Sequence, residues 1–134
     1  MKPVTITVDQ PPQQVKPNVR CHYMSKANAT RKYREHAKEQ AMEACYRRDV
    51  REPIREAKVE IIFYHKTRRF MDRDNILASL KAVFDGFSDA GLWIDDRECM
   101  FMPVARDKDA KNPRVEITVS ELADEKTRNK VRRR

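Results

Sequence analysis

The sequence predicts an α+β fold, a small mixed β-sheet of about four to five strands with two main helices. Residues 3–8, 57–65 and 114–120 alternate apolar with polar residues or are rich in β-branched side chains, as strands are. Residues 27–48 and 75–88 carry apolar side chains at the three- and four-residue spacing of helices. A chain of 134 residues is long enough for one hydrophobic core, so we expect one domain.

The first half of the chain predicts a strand, a loop and a helix. Residues 9–18 hold three prolines, which exclude a helix interior or a central strand, and residues 19–24 favour a short extended piece. Asn28 or Thr30 can cap the helix over 27–48. The apolar stripe of this helix is narrow and its other faces are rich in cations. Such faces are usually only solvated, with contact to phosphates as the alternative.

The second half of the chain supplies the central strand. Residues 57–65 are apolar on both faces, which indicates a central strand that is partly covered on both sides. Gly91 follows the second helix and suits a left-handed helix end. Residues 97–106 predict another strand, in which Pro103 marks an edge or a bulge. We expect this strand to pair with 114–120 as a β-hairpin.

The composition is basic, with 29 Lys and Arg against 21 Asp and Glu and a formal net charge of +8. This balance favours a polyanionic partner, nucleic acid or an anionic membrane surface, although basic proteins without such a partner are as common. Only two glycines are present, which excludes a glycine-rich phosphate loop. The three cysteines form no C-x-x-C pair, and neither a secretory signal nor an apolar span is present. We therefore expect reduced thiols and a soluble, cytoplasmic protein.

Acidic residues in this basic chain gather around the second helix. Asp72 and Asp74 precede it at i and i+2, a spacing that places both carboxylates on one face of an extended segment. Lys81 follows seven residues after Asp74, about 20° short of two full turns, and therefore shares its helix face. A helix of about 14 residues is roughly 21 Å long, and the connection after it can span about 28 Å. Asp95 or Asp96 can therefore return to Asp74.

Four carboxylates held together would repel each other, and a bound divalent cation removes this conflict. Hard cations such as Mg²⁺, with Mn²⁺ as an alternative, prefer carboxylate oxygens and substrate phosphate. Each feature alone has a more ordinary interpretation: an aspartate as an N-cap, an acidic pair as a turn, a lysine on a solvated face. Together with the flanking cations Lys66, Arg68, Arg69 and Arg73, the set predicts a metal-dependent phosphodiesterase.

The segments R-R-F-M-D-R-D-N, K-A-V-F-D-G-F and D-A-G-L-W-I-D-D resemble the RusA-type Holliday-junction resolvases, crossover junction endodeoxyribonucleases of DNA recombination and repair found in bacteria and prophages. The family also has a Pro-Pro turn followed by Asn, Arg and His or an aromatic residue. Those positions here are Pro11, Pro12, Asn18, Arg20, His22 and Tyr23. The resemblance covers residues 3–122. We therefore expect a RusA-like endonuclease domain over residues 1–122 and a basic, mobile tail over residues 123–134.

The resemblance implies a small α+β homodimer that cuts four-way DNA junctions with Mg²⁺, without an organic cofactor or a membrane. The family's metal-binding aspartates fall on Asp72, Asp74 and Asp96, with Asp95 as an accessory acid, and its functional lysine falls on Lys81. The helix before this lysine is about one turn longer than in the shortest family members, which sets the amine a turn further away.

The expected function is Mg²⁺-dependent, structure-selective hydrolysis of phosphodiesters in four-way (Holliday) junctions. Catalysis is assigned to Asp72, Asp74, Asp96 and Lys81. Contacts to DNA are assigned to Arg20, His22, Lys66, Arg68, Arg69 and Arg73. Two alternatives remain: a metal-dependent nuclease acting on flaps, replication forks or RNA, and a branched-DNA-binding protein that does not cut.

Overall fold

The computed structural model describes residues 3–122, and all statements about structure refer to them. Five strands form one mixed sheet: β1 (Val4–Val8), β2 (Ala57–His65), β3 (Cys99–Phe101), β4 (Ala105–Lys108) and β5 (Arg114–Glu121). The helices in this range are α1 (Tyr23–Arg47), α2 (Arg73–Ser79) and α3 (Lys81–Asp89), with 3-10 turns at Gln13–Val15 and Asp96–Glu98. The predicted α+β class and mixed sheet are confirmed, while the expected tail at 123–134 lies outside the described residues.

The long strand β2 is central, as its two-sided apolar pattern predicted. One edge of β2 pairs antiparallel with β5, which pairs in turn with β1. The other edge pairs in parallel first with β3 and then with β4. The sheet order is therefore β1-β5-β2-β3, with β4 continuing the edge that β3 begins.

The predicted β-hairpin is wrong, because β4 and β5 lie on opposite edges of β2. The strand expected over 97–106 is divided into β3 and β4, and Pro103 lies in the gap between them. Strand β5 pairs with β1 on one side and with β2 on the other, whereas β4 buries none of its four residues and fits a sheet edge.

The core lies between one face of the sheet and the helices. Ile6, Ile117 and Ile61 are register partners across β1, β5 and β2, and all are buried. The helices α1 and α3 pack against each other, and α1 also covers β1. At their crossing, Gly86 allows close approach, since a Cβ there would collide with the carbonyl oxygen of Arg34. The helices thus form one layer over the sheet.

Helix α1 begins four residues earlier than predicted. His22 is its N-cap, with its Nδ1 accepting a hydrogen bond from the Met24 N–H at 3.2 Å. The extended piece expected over 19–24 therefore ends at His22, whose backbone is extended, and the caps expected at Asn28 or Thr30 are wrong. The Thr30 hydroxyl instead donates within the helix to the carbonyl of Lys26.

The single helix predicted over 75–88 is two helices joined at Leu80. This residue has φ −100° and ψ 5°, and its side chain is completely buried. The chain therefore changes direction directly before Lys81. Gly91 has φ +80°, which confirms the predicted left-handed stop.

In the part of the chain from 3 to 122, no helix has the length and apolar character that a membrane crossing requires.

Candidate active site

The loop after β2 is held against the end of the sheet by two side chains. His65, the last residue of β2, is 6% exposed and lies between the rings of Phe63 and Phe70, with centroids 4.5 and 4.8 Å away. Its Nε2 accepts a hydrogen bond from the Met71 N–H at 3.1 Å. Arg106 of β4 donates from Nη1 to the Met71 carbonyl at 3.2 Å. Both backbone groups of Met71 are therefore bound from the sheet.

Asp72 and Asp74 follow this anchored residue. Asp72 is the N-cap of α2, with φ −61° and ψ 146°, but its carboxylate accepts no capping hydrogen bond. Asp74 lies in the first turn, and both residues are exposed. Within residues 3–122 neither carboxylate has a hydrogen-bond or ion-pair partner. Both are free to bind a ligand.

Arg73, between these acids, has a structural contact. Its Nε donates to the carbonyl of Val104 at 2.9 Å, so its side chain reaches to the segment between β3 and β4. Of the predicted DNA contacts, Arg73 and the helix cap His22 therefore already have roles in the fold.

The structure brings Lys81 to the closing acidic pair. Lys81 Nζ lies 2.7 Å from Asp96 Oδ2 and 3.3 Å from Asp85 Oδ1. The hydrogen bond to Asp96, followed by the one to Asp85, raises the pKa of the Lys81 amine. The amine is therefore charged at neutral pH and neutralises both carboxylates.

Asp95 has a different environment from Asp96. Its carboxylate accepts hydrogen bonds from Nε and Nη2 of Arg97 at 2.9 and 2.8 Å and from the Arg97 backbone N–H. These contacts lower the pKa of Asp95 to about 2. Nearby, burial and the adjacent acids raise the pKa of the Cys99 thiol to about 12, which makes a cysteine nucleophile unsuitable here.

The aspartates do not form a single cluster. Among residues 3–122, no group of three or more His, Cys, Asp or Glu side chains is arranged to hold a metal ion. Asp72 and Asp74 stand at the start of α2, whereas the Asp96 carboxylate accepts a hydrogen bond from Lys81 at the start of α3.

Three cations lie between β2 and Asp72. Lys66, Arg68 and Arg69 are exposed, and within the described range their side chains have no carboxylate partner. Arg20, before α1, is likewise exposed and unpaired in that range. Unpaired, solvated cations of this kind are available to phosphates.

Sequence reasoning missed His65 and Arg106. The sequence pattern of β2 could have indicated that His65 is buried, because every second residue of a strand lies on the same face. The preceding residues on that face are buried: Ala57, Val59, Ile61 and Phe63. His65 continues that buried row. No comparable pattern marks Arg106, whose role depends on the parallel pairing of β4 with β2.

This fold and these side chains define a basic α+β domain with a cationic loop next to unpaired carboxylates. A family model described as Endodeoxyribonuclease RusA matches residues 3–120. The chain therefore belongs to the RusA endodeoxyribonuclease family, as its motifs suggested.

The chain is also similar to individual proteins of two kinds, one uncharacterized and the other described as RusA. A chain from Xylella fastidiosa (strain Temecula1), described as an uncharacterized protein, is 31% identical over 123 residues, which are 90% of this chain and 78% of the relative. The crossover junction endodeoxyribonucleases RusA of Escherichia coli K12 and of Enterobacteria phage 82 are each 34% identical over 68 residues. Those two matches span 51% of this chain and 54% of the relatives, about half of each protein.

Proposed function

We propose that this protein is a metal-dependent endodeoxyribonuclease that cuts four-way (Holliday) DNA junctions. The observation that carries the proposal is the stretch 66–74, where unpaired cations and unpaired carboxylates follow each other at the end of the central strand. The relatives described as crossover junction endodeoxyribonucleases support the choice of substrate.

The proposed metal ligands are Asp72, Asp74 and Asp96, with Mg²⁺ as the ion and Mn²⁺ as the alternative. Carboxylate oxygens are the hard donors that these ions prefer, and two of the three carboxylates have no competing partner in the described structure. Mg²⁺ usually keeps several waters and binds one or two carboxylates directly, so the third can act through water. When bound, the ion would activate water and polarise the phosphate.

Lys81 binds phosphate in this proposal. Its amine holds Asp96 at 2.7 Å and retains its charge at neutral pH, because both neighbouring carboxylates raise its pKa. A phosphate oxygen near Asp96 would lie close to the positive charge of Lys81. This positive charge would offset the negative charge that develops on the phosphate during hydrolysis. Asp95 keeps Arg97 in place beside Asp96 and is the accessory acid.

The cationic loop positions the DNA. Lys66, Arg68 and Arg69 bind backbone phosphates, and Arg20 adds a contact from the start of α1. Phosphate contacts orient a protein on DNA without selecting a sequence. A homodimer would supply two symmetric sites for the two cuts that resolve a two-fold junction.

A branched-DNA-binding protein without cleavage activity is the second candidate. The observation that favours it is that, among residues 3–122, no three acidic, His or Cys side chains are grouped to hold a metal ion. A nuclease that prefers flaps or RNA would use the same groups, so the choice between these substrates depends on the assay.

The deciding assay incubates the protein with a synthetic four-way junction in Mg²⁺, in Mn²⁺ or in EDTA, beside a linear duplex, a flap and an RNA hairpin. We expect cleavage of the junction with either ion and none in EDTA. Asp74→Asn should abolish cleavage, whereas Glu39→Gln, an exposed acid on α1, should not change it. Binding without cleavage under all ion conditions would select the second candidate.

A further inference from the structure

The backbone around Asp72 is held on both sides. Before it, the N–H of Met71 donates to His65 Nε2 at 3.1 Å and the carbonyl of Met71 accepts from Arg106 Nη1 at 3.2 Å. After it, the Nε of Arg73 donates to the Val104 carbonyl at 2.9 Å. Three side chain–backbone hydrogen bonds therefore fix the position of one exposed aspartate.

His65 is a buried polar side chain, and the half-buried Arg106 lies on the neighbouring strand β4. His65 is one of two buried polar or charged side chains in the described range, together with Ser79. The other ring nitrogen of His65, Nδ1, and the Nε of Arg106 are buried without a hydrogen-bond partner among residues 3–122. An unsatisfied buried polar atom carries a desolvation cost that an apolar side chain at the same place would avoid. Core packing alone therefore does not explain these two residues.

His65 is suited to accept a hydrogen bond. Burial lowers the pKa of its imidazole, so the ring is neutral at neutral pH and Nε2 keeps a free lone pair. Phe63 and Phe70 hold the ring from both sides, and Phe70 belongs to the same loop. Arg106 also faces the Phe70 ring, with 6.0 Å between the guanidinium carbon and the centroid. The two residues thus bind the loop through its backbone and through one of its side chains.

We propose that His65 and Arg106 are positioning residues for the metal site: they fix Met71 and thereby hold the Asp72 carboxylate where a divalent ion binds. This inference rests on the proposed function and extends it to two residues that do not touch the ion. Partners that orient a ligand typically change metal affinity by about 10–100-fold when they are removed.

The test measures Mn²⁺ binding to the full chain by titration calorimetry, without DNA. His65→Phe retains a ring between Phe63 and Phe70 but removes the acceptor, and His65→Gln restores an acceptor near the position of Nε2. We expect His65→Phe to weaken Mn²⁺ binding by about 10–100-fold. His65→Gln should recover most of that loss. Junction binding in EDTA should stay within about twofold for both variants, because Lys66, Arg68 and Arg69 keep their charges.

Tyr33→Phe is the matched control. The buried Tyr33 donates a 2.6 Å hydrogen bond to the carbonyl of Asp9, so the variant also loses a side chain–backbone bond, but away from Met71. It should lower the melting temperature and leave Mn²⁺ affinity unchanged. Wild-type Mn²⁺ affinity in His65→Phe, with only a lower melting temperature, would overturn the inference. Equal damage by His65→Gln and His65→Phe would overturn it too.

Arg106→Met provides an independent route if His65→Phe does not fold. It removes the donor to the Met71 carbonyl and should also weaken Mn²⁺ binding. Unchanged Mn²⁺ affinity would overturn the inference.

The experiments distinguish failure of the proposed metal site from failure of the positioning role alone. If the wild-type chain neither binds Mn²⁺ nor cuts the junction, both the metal site and the positioning role are excluded. If the wild-type chain binds Mn²⁺ and cuts, and the variants bind Mn²⁺ with the same affinity, only the positioning role is excluded.

Discussion

Lys81 Nζ and Asp96 Oδ2 are 2.7 Å apart, although fifteen positions separate the two residues in the sequence. This ion pair connects the start of α3 to the acidic turn that precedes β3. It places a permanent positive charge on the carboxylate proposed as a metal ligand.

Replacing Lys81 by Met should reduce junction cleavage by roughly 10²–10³-fold, because one preorganised charge would be lost near the scissile phosphate. The change in unfolding free energy should stay below about 1 kcal/mol, since the Lys81 side chain is 62% exposed and such ion pairs contribute little. Single-turnover cleavage and urea unfolding measure the two effects. Lys58→Met is the control, because Lys58 also pairs with a carboxylate, that of Glu60, but on β2. Equal loss of cleavage in both variants would contradict the role of Lys81.

Gly86→Ala should destabilise the fold by about 1–3 kcal/mol through overpacking. The added Cβ would collide with the Arg34 carbonyl oxygen and lie 3.0 Å from both the Ala37 Cβ and the Lys38 nitrogen. Backbone atoms cannot move aside as a flexible side chain can, so α3 would have to separate from α1. Urea unfolding measures the loss. Gly91→Asn is the contrast, since the space there is open and Asn tolerates its φ of +80°, so its loss should be clearly smaller.

The stability of the protein should fall as the pH drops below about 6.5, because of His65. Burial lowers the pKa of His65 in the folded state, so the unfolded chain binds a proton first as the pH falls. The contribution of neutral His65 to stability is complete above the pKa that His65 has in the unfolded chain. It is lost as the pH falls through the lower pKa that His65 has in the folded protein. Urea unfolding between pH 7.5 and 5 should show this slope in the wild type. His65→Gln should have a flatter profile.

A profile for His65→Gln as steep as that of the wild type would assign the effect to other groups. Three carboxylates with a lowered pKa cannot provide it in this window. Arg97 lowers the pKa of Asp95 to about 2, and ion pairs also lower the pKa of Asp89 and Asp109 below the usual Asp value. Their contributions are lost only at more acidic pH.

Replacing Arg68 and Arg69 together by Gln should weaken junction binding and make it less sensitive to salt. Each lost phosphate contact should reduce the slope of log K against log salt by about 0.9. Binding isotherms at several KCl concentrations measure this slope, in EDTA so that cleavage does not interfere. Arg51→Gln is the control, because Arg51 is exposed but pairs with Asp49 on another part of the surface. An unchanged slope in the double variant would exclude the loop from the DNA interface.

The sequence predicted the elements whose hydrophobic period is strong. Strands β1, β2 and β5 alternate because one of their faces is buried, and the register partners Ile6, Ile117 and Ile61 confirm those faces. Chain length and helix rise predicted that the connection after α3 returns the acidic pair to Asp74, whereas Asp96 is bonded to Lys81 at the start of α3.

The remaining features depend on tertiary contacts, which the hydrophobic periodicity of the sequence does not predict. The break at Leu80 leaves the apolar spacing of the helix intact and changes only its backbone angles. The placement of β4 depends on which strands pair with each edge of β2, and the local sequence pattern does not determine this pairing. The role of Arg106 in turn depends on that placement.

The division of one sheet edge into β3 and β4 has a consequence for self-association. Each piece exposes only three or four residues, Pro103 lies between them, and Arg106 and Lys108 bring charge to the second piece. Short, charged, proline-interrupted edges resist strand-to-strand docking between molecules. Continuation of the sheet into a second molecule is therefore disfavoured at this edge.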